Sequence, residues 1–130
     1  MVISVIEDIK LYKPNPTLAS QFLTRFDEDG VFTFQTFDDC KERKAPYLAR
    51  ILHGSFDEHR IDLLRLNQQG AGIFFTVNAT DGRGRSGINI TKIRAIFVDL
   101  DGAPLDPIYN APLEPHLIVQ SSQGKYHVYW

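Results

Sequence analysis

Apolar residues recur at spacing four through Leu18, Phe22 and Phe26, which is one stripe of a helix. Asn15 before Pro16 supplies an N-cap and a proline at the first helical position, predicting a helix over residues 16–26. Asp29-Gly30 then turns the chain, and Phe32 and Phe34 alternate with Thr33 and Gln35, the period of a half-buried strand over 31–37. A polar loop at 38–46 leads to a second predicted strand, 47–53. Ser55-Phe56-Asp57-Glu58 matches a capping box, in which serine and glutamate satisfy each other's free amides, and it opens a helix running to about residue 69 and stopping at Gly70. GIFFTVN at 72–78 is a third strand. IRAIFVDL at 93–100 is a fourth, apolar on both faces and so expected in the centre of a sheet. Residues 117–121 and 125–130 form two more around the turn Ser122-Gln123-Gly124.

This order of elements predicts an α+β fold with helices packed on a mixed or mostly antiparallel sheet. At 130 residues and 43% hydrophobic content, the chain suits one domain, with no repeats, low-complexity tract or linker. It ends at Trp130 inside an apolar strand pattern, which reads as the front part of a longer protein.

A net charge of −2 gives no global basic field, so nucleic-acid binding would need a local patch. Cys40 is the one cysteine, which excludes an intrachain disulfide and a cysteine-based zinc cluster and suits a reducing cytoplasm. Residues 1–15 have early acidic residues and no long apolar run, hence neither signal peptide nor membrane span is expected.

Asp99 and Asp101 lie two apart on a strand and so project to one side, with Gly102 turning the backbone away after them. Two hard carboxylates side by side suit Mg²⁺ or Mn²⁺, whose shell substrate phosphates complete. The same residues also read as an acidic strand end entering a turn. In GKYHVYW, period two sets Lys125, His127 and Tyr129 on one face and Tyr126, Val128 and Trp130 on the other. Lysine and imidazole side by side can hold a triphosphate, and an amphipathic strand with one solvated face has the same pattern. Metal carboxylates and phosphate-binding cations are complementary halves of phosphoryl-transfer chemistry.

DGRGRSG at 81–87 contains G-x-G-x-x-G after a strand. A dinucleotide-binding unit needs a crossover helix of about a dozen residues, and only residues 88–92 separate Gly87 from the next strand. What remains is an Arg/Gly loop that can grip a nucleic-acid backbone or phosphates through Arg83 and Arg85, or a mobile hairpin tip. His53, His59 and His116 have no partner at metal-ligand spacing and read as structural, and Cys40 has no adjacent base.

The run GIFFTVNATDGRGRSGINITKIRAIFVDLDG followed by PHLIVQSSQGKYHVYW, about residues 33–130, resembles the primase-like domains of phage, plasmid and integrative-element replication proteins in the archaeo-eukaryotic primase and primase-polymerase superfamily. The resemblance implies an RRM-like catalytic module preceded by a small α/β module. It implies that Asp99 and Asp101 bind catalytic Mg²⁺ or Mn²⁺ and that His127 meets the incoming nucleotide's phosphates. Lys125 stands where the family usually has serine, and the family's third motif, a further strand aspartate, is absent from residues 1–130. The implied activity is template-directed nucleotide joining with release of pyrophosphate. The implied partners are a single-stranded DNA template, nucleoside triphosphates and a helicase or other replication protein.

Two other readings compete. AIFVDLDGAPLD resembles the D-x-D-G-T motif of haloacid-dehalogenase-like phosphatases, with Asp99 as nucleophile and Asp101 as acid/base, but 98 residues precede Asp99, Ala103 replaces the threonine and GKYHVYW has no counterpart. A non-catalytic nucleic-acid-binding module would use the arginine loop and aromatics alone.

Overall fold

The computed structural model describes residues 13–130, which form two compact units, Lys13–Arg94 and residues 95–130. Residues 1–12, the greater part of the segment expected to carry neither signal peptide nor membrane span, lie outside the described residues. The fold is mixed α+β, with three α-helices and three small antiparallel sheets among the described residues. Among the described residues no helix is long and apolar enough to cross a membrane.

In the first unit, α1 (Pro16–Thr24) starts where Asn15 accepts a hydrogen bond from the Leu18 amide and Pro16 takes the first turn. α2 (Phe56–Gln68) starts at the predicted capping box, with Glu58 N–H donating to Ser55 Oγ and Ser55 N–H to Glu58 Oε2. These helices accompany an antiparallel sheet of order β2-β1-β3, built from β1 (Phe32–Asp38), β2 (Arg50–Gly54) and β3 (Ala71–Phe75). Phe32 and Phe34 alternate into a core with Leu23 and Leu63, against which Phe22, Phe26 and Phe75 pack. Each such buried side chain contributes about 1.5–3 kcal/mol. Phe22 meets Phe75 edge to face at 5.5 Å.

Several boundaries differ from the periodicity. The strand expected at 47–53 begins with a 3-10 turn, Pro46–Leu48, that plugs the fully buried Leu48 beneath Thr36. Thr36 Oγ1 donates to the Leu48 carbonyl at 2.7 Å and accepts from the Arg50 amide at 3.1 Å, so one buried hydroxyl closes the turn. Thr33, expected on a solvated face, is buried as well. A short hairpin of β4 (Ala79–Thr80) and β5 (Ile90–Lys92) brings Thr80 Oγ1 to 2.6 Å from Thr33 Oγ1, which also lies 2.9 Å from His53 Nδ1. His53 and His59, whose Nε2 meets the His53 carbonyl at 2.9 Å, thus serve the structure of this unit.

The second unit is a three-stranded antiparallel sheet of order β6-β8-β7, with β6 (Phe97–Asp101), β7 (Leu117–Ser122) and β8 (Lys125–Tyr129), and a one-turn helix, α3 (Asp106–Tyr109), between β6 and β7. Val128 is fully buried at its centre, with Ile118 opposite it in register. β7 and β8 join through Gln123-Gly124, where Gly124 holds φ +70° with open space around it; the turn needs glycine for its conformation, not its size. The ladder runs past β6 and β8, since Ile96 and Trp130 exchange backbone hydrogen bonds of 3.1 and 2.9 Å.

The expectation that 93–100 is one central strand is corrected. Only Phe97–Asp101 is strand, and among the described residues it pairs with β8 alone, an edge position that leaves Phe97 49% and Val98 40% exposed. An apolar run reports which side chains can be buried, not how many neighbours the strand acquires. Upstream of it, the Arg94 amide donates to Asn78 Oδ1, and the buried Arg94 guanidinium pairs with Asp27 at 3.1 Å and lies over the Phe32 ring.

Candidate functional site

The β6–β8 register builds the site. Asp99 lies opposite His127 and Asp101 opposite Lys125, so period two on each strand sets two carboxylates and two basic side chains in a square on one sheet face. The sheet therefore brings together four of the six residues singled out from sequence. Lys125 Nζ lies 2.5 Å from Asp101 Oδ1, and His127 Nε2 lies 3.6 Å from Asp99 Oδ1. The carboxylates are open to solvent, Asp99 62% and Asp101 70% exposed.

The hydrogen bond from Lys125, reinforced by its charge, holds the Asp101 carboxyl below its ordinary range. Reciprocally, the hydrogen bond to Asp101 and that residue's charge hold the Lys125 ammonium above its own, with Asp99 adding to the effect. Both are charged at neutral pH, so the contact is a salt bridge.

Tyr129, which the pattern puts on the same face without giving it a role, is the residue that sequence reasoning undervalued. It is buried, and its hydroxyl lies 3.4 Å from His127 Nδ1. Its phenol is pushed up to about 12, first by burial and then by the negative charge of Asp99, so it stays protonated at neutral pH. The imidazole is thus flanked by a carboxylate on one nitrogen and a phenol on the other, a long contact that orients the ring.

Asp99 and Asp101 fit a hard divalent cation in kind, being exposed oxygen donors on one face. They do not make a cage: among the described residues no group of three or more His, Cys, Asp or Glu side chains could hold a metal ion. A cation here would complete its shell from phosphates, water or a further carboxylate.

Arg83 and Arg85 belong to the other unit, on the loop joining β4 to β5. That loop is tied by its own hydrogen bonds. Asp81 accepts from the Arg83 amide at 2.9 Å and from the Asn89 side chain, and Asn89 Oδ1 accepts from Ser86 N–H and Oγ–H. The Arg83 amide is the leading reason that the Asp81 carboxyl is held below its ordinary range. Among the described residues neither Arg83 nor Arg85 enters an ion pair, which leaves both guanidinium groups available to an anion. The antiparallel β4–β5 pairing agrees with the rejection of a dinucleotide unit, which requires parallel strands.

No protein-family model matches this chain, and no curated protein or solved structure matches it either.

Proposed function

We propose that the chain is the metal- and phosphate-handling part of a primase-like nucleotidyltransferase acting in DNA replication of a mobile element, in the cytoplasm. The observation that carries this reading is the register that sets Asp99 and Asp101 beside His127 and Lys125 on one exposed face. On this reading the β6-β8-β7 sheet belongs to an RRM-like catalytic module, and residues 13–94 are the small α/β module before it.

Asp99 and Asp101 would hold Mg²⁺ or Mn²⁺, together with a further carboxylate and the substrate's phosphates. The bound metal would supply a lowered pKa for the attacking 3′-hydroxyl and compensation for charge on the leaving pyrophosphate. His127 donates a hydrogen bond to the triphosphate from the ring edge that faces Asp99, and Tyr129 keeps the ring in that orientation. Lys125 adds a positive charge to the same anion. Arg83 and Arg85 hold the phosphates of single-stranded template, a contact blind to sequence. A helicase or other replication protein would present that template.

The test is primer extension, or primer synthesis, on single-stranded DNA by the full-length gene product. Incorporation that requires Mg²⁺ or Mn²⁺ and is lost in Asp99→Ala/Asp101→Ala is the expected result. Phosphate release from small esters that is lost in Asp99→Asn would make the protein a phosphatase instead. Salt-sensitive single-strand binding indifferent to Mg²⁺, without incorporation, would make it a binding module.

A further inference from the structure

The position of Lys125 has a meaning of its own. Its ammonium sits on the Asp101 carboxylate that a metal ion at the acidic pair would use, with Nζ 2.5 Å from Oδ1, whereas the nearest basic atom to Asp99 stands off at 3.6 Å. An ammonium and a dication crowded onto one carboxylate repel each other. Entry of a metal therefore displaces the lysine. Both partners are mostly solvent-exposed, so the pair is weakly held and exchanges readily. Lysine suits such a move, being a compact charge on a flexible four-carbon stem with three rotatable donors.

We propose that Lys125 is a resident counter-ion of the acidic pair, displaced from Asp101 by the metal and thereby released to a substrate phosphate, so that metal and triphosphate reinforce each other's binding. The proposal rests on the reading of Asp99 and Asp101 as a metal site. It adds that Lys125 opposes metal alone and favours the metal together with the triphosphate. Because coupling is reciprocal, each ligand raises affinity for the other by the same factor. The device also keeps two adjacent carboxylates compensated when no metal is bound.

The experiment uses the full-length protein and two ligands, Mn²⁺ alone and a fluorescent non-hydrolysable nucleoside triphosphate at saturating Mn²⁺. Lys125→Met and Lys125→Gln should each bind Mn²⁺ on the order of three- to tenfold more tightly than wild type, and the triphosphate more weakly by a similar factor. Lys41→Met, the same charge change in the loop after β1, should leave Mn²⁺ affinity unchanged. If the Lys125 variants bind Mn²⁺ no more tightly than wild type, or if Lys41→Met tightens it equally, the counter-ion role is wrong while the metal site stands. If wild type binds Mn²⁺ no better than Asp99→Asn/Asp101→Asn, the metal reading falls and takes this inference with it.

Discussion

His127 faces Asp99 across the β6–β8 ladder with Nε2 3.6 Å from Oδ1, close enough for attraction and too far for a settled hydrogen bond. An imidazole N–H so placed keeps its donor capacity for a third group. If that group is a phosphate, His127→Ala should lower nucleotide incorporation about a hundredfold, the usual scale for removing one preorganised donor. Tyr129→Phe, which removes the hydroxyl beside Nδ1 and leaves the His127 ring in place, should cost less than about tenfold. Steady-state incorporation kinetics read both effects, with far-UV circular dichroism showing that the sheet survives. Equal losses in the two variants would contradict the ordering of roles.

Among the described residues Arg83 and Arg85 enter no ion pair, and their loop's backbone is held by Asp81, Asn89 and Ser86. Removing them should weaken binding to single-stranded DNA without unfolding the loop. Each lost phosphate contact should flatten the slope of log K against log salt by roughly 0.7. Fluorescence anisotropy of labelled oligonucleotides at several salt concentrations, with Arg83→Ala/Arg85→Ala beside wild type, measures this. An unchanged slope would remove the loop from the interface.

The buried Thr36 Oγ1 serves two backbone groups, the Leu48 carbonyl and the Arg50 amide. Thr36→Val keeps the shape and deletes the hydroxyl, leaving both groups short of a partner, at a cost of about 1–3 kcal/mol. Thr36→Ser keeps the hydroxyl and should be the milder change. Urea denaturation distinguishes them. A valine variant as stable as wild type would show that the 3-10 turn does not depend on this side chain.

Asp38 accepts from the Arg43 guanidinium and from the Cys40 and Ala45 amides, stapling the loop that follows β1. The Arg43 hydrogen bond is the largest influence holding its carboxyl far below the ordinary range, against an opposing effect of burial. A folded carboxyl so depressed binds fewer protons than the unfolded chain, so its contribution is complete above about pH 4 and is lost as pH falls toward the folded value. Glu58 and Asp81 are lowered in the same direction, the first mainly by the Ser55 amide. The thermal midpoint should fall between about pH 5 and about pH 2, and Asp38→Asn should show a shallower decline over that window. Identical slopes would mean that Asp38 titrates alike in both states.

Capping and turn chemistry made the elements of this fold readable. Ser55 and Glu58 start α2, Asn15 and Pro16 start α1, and Gly124 marks the β7–β8 turn, because each acts through neighbours a few residues away. The readings that changed involve partners far along the chain. Thr33 looked solvated until β4 placed Thr80 against it, and residues 93 and 94 looked like part of the strand that carries Asp99, whereas the Arg94 side chain goes to Asp27.

The candidate site divides the same way. Period-two geometry by itself put Asp99 with Asp101, and Lys125 and His127 with Tyr129, since side-chain direction along a strand is a local property. Which aspartate meets which basic residue followed only from the β6–β8 pairing. That pairing is set by hydrogen bonds between segments distant in sequence, where a shift of one residue would have turned the carboxylates and the basic side chains to opposite faces.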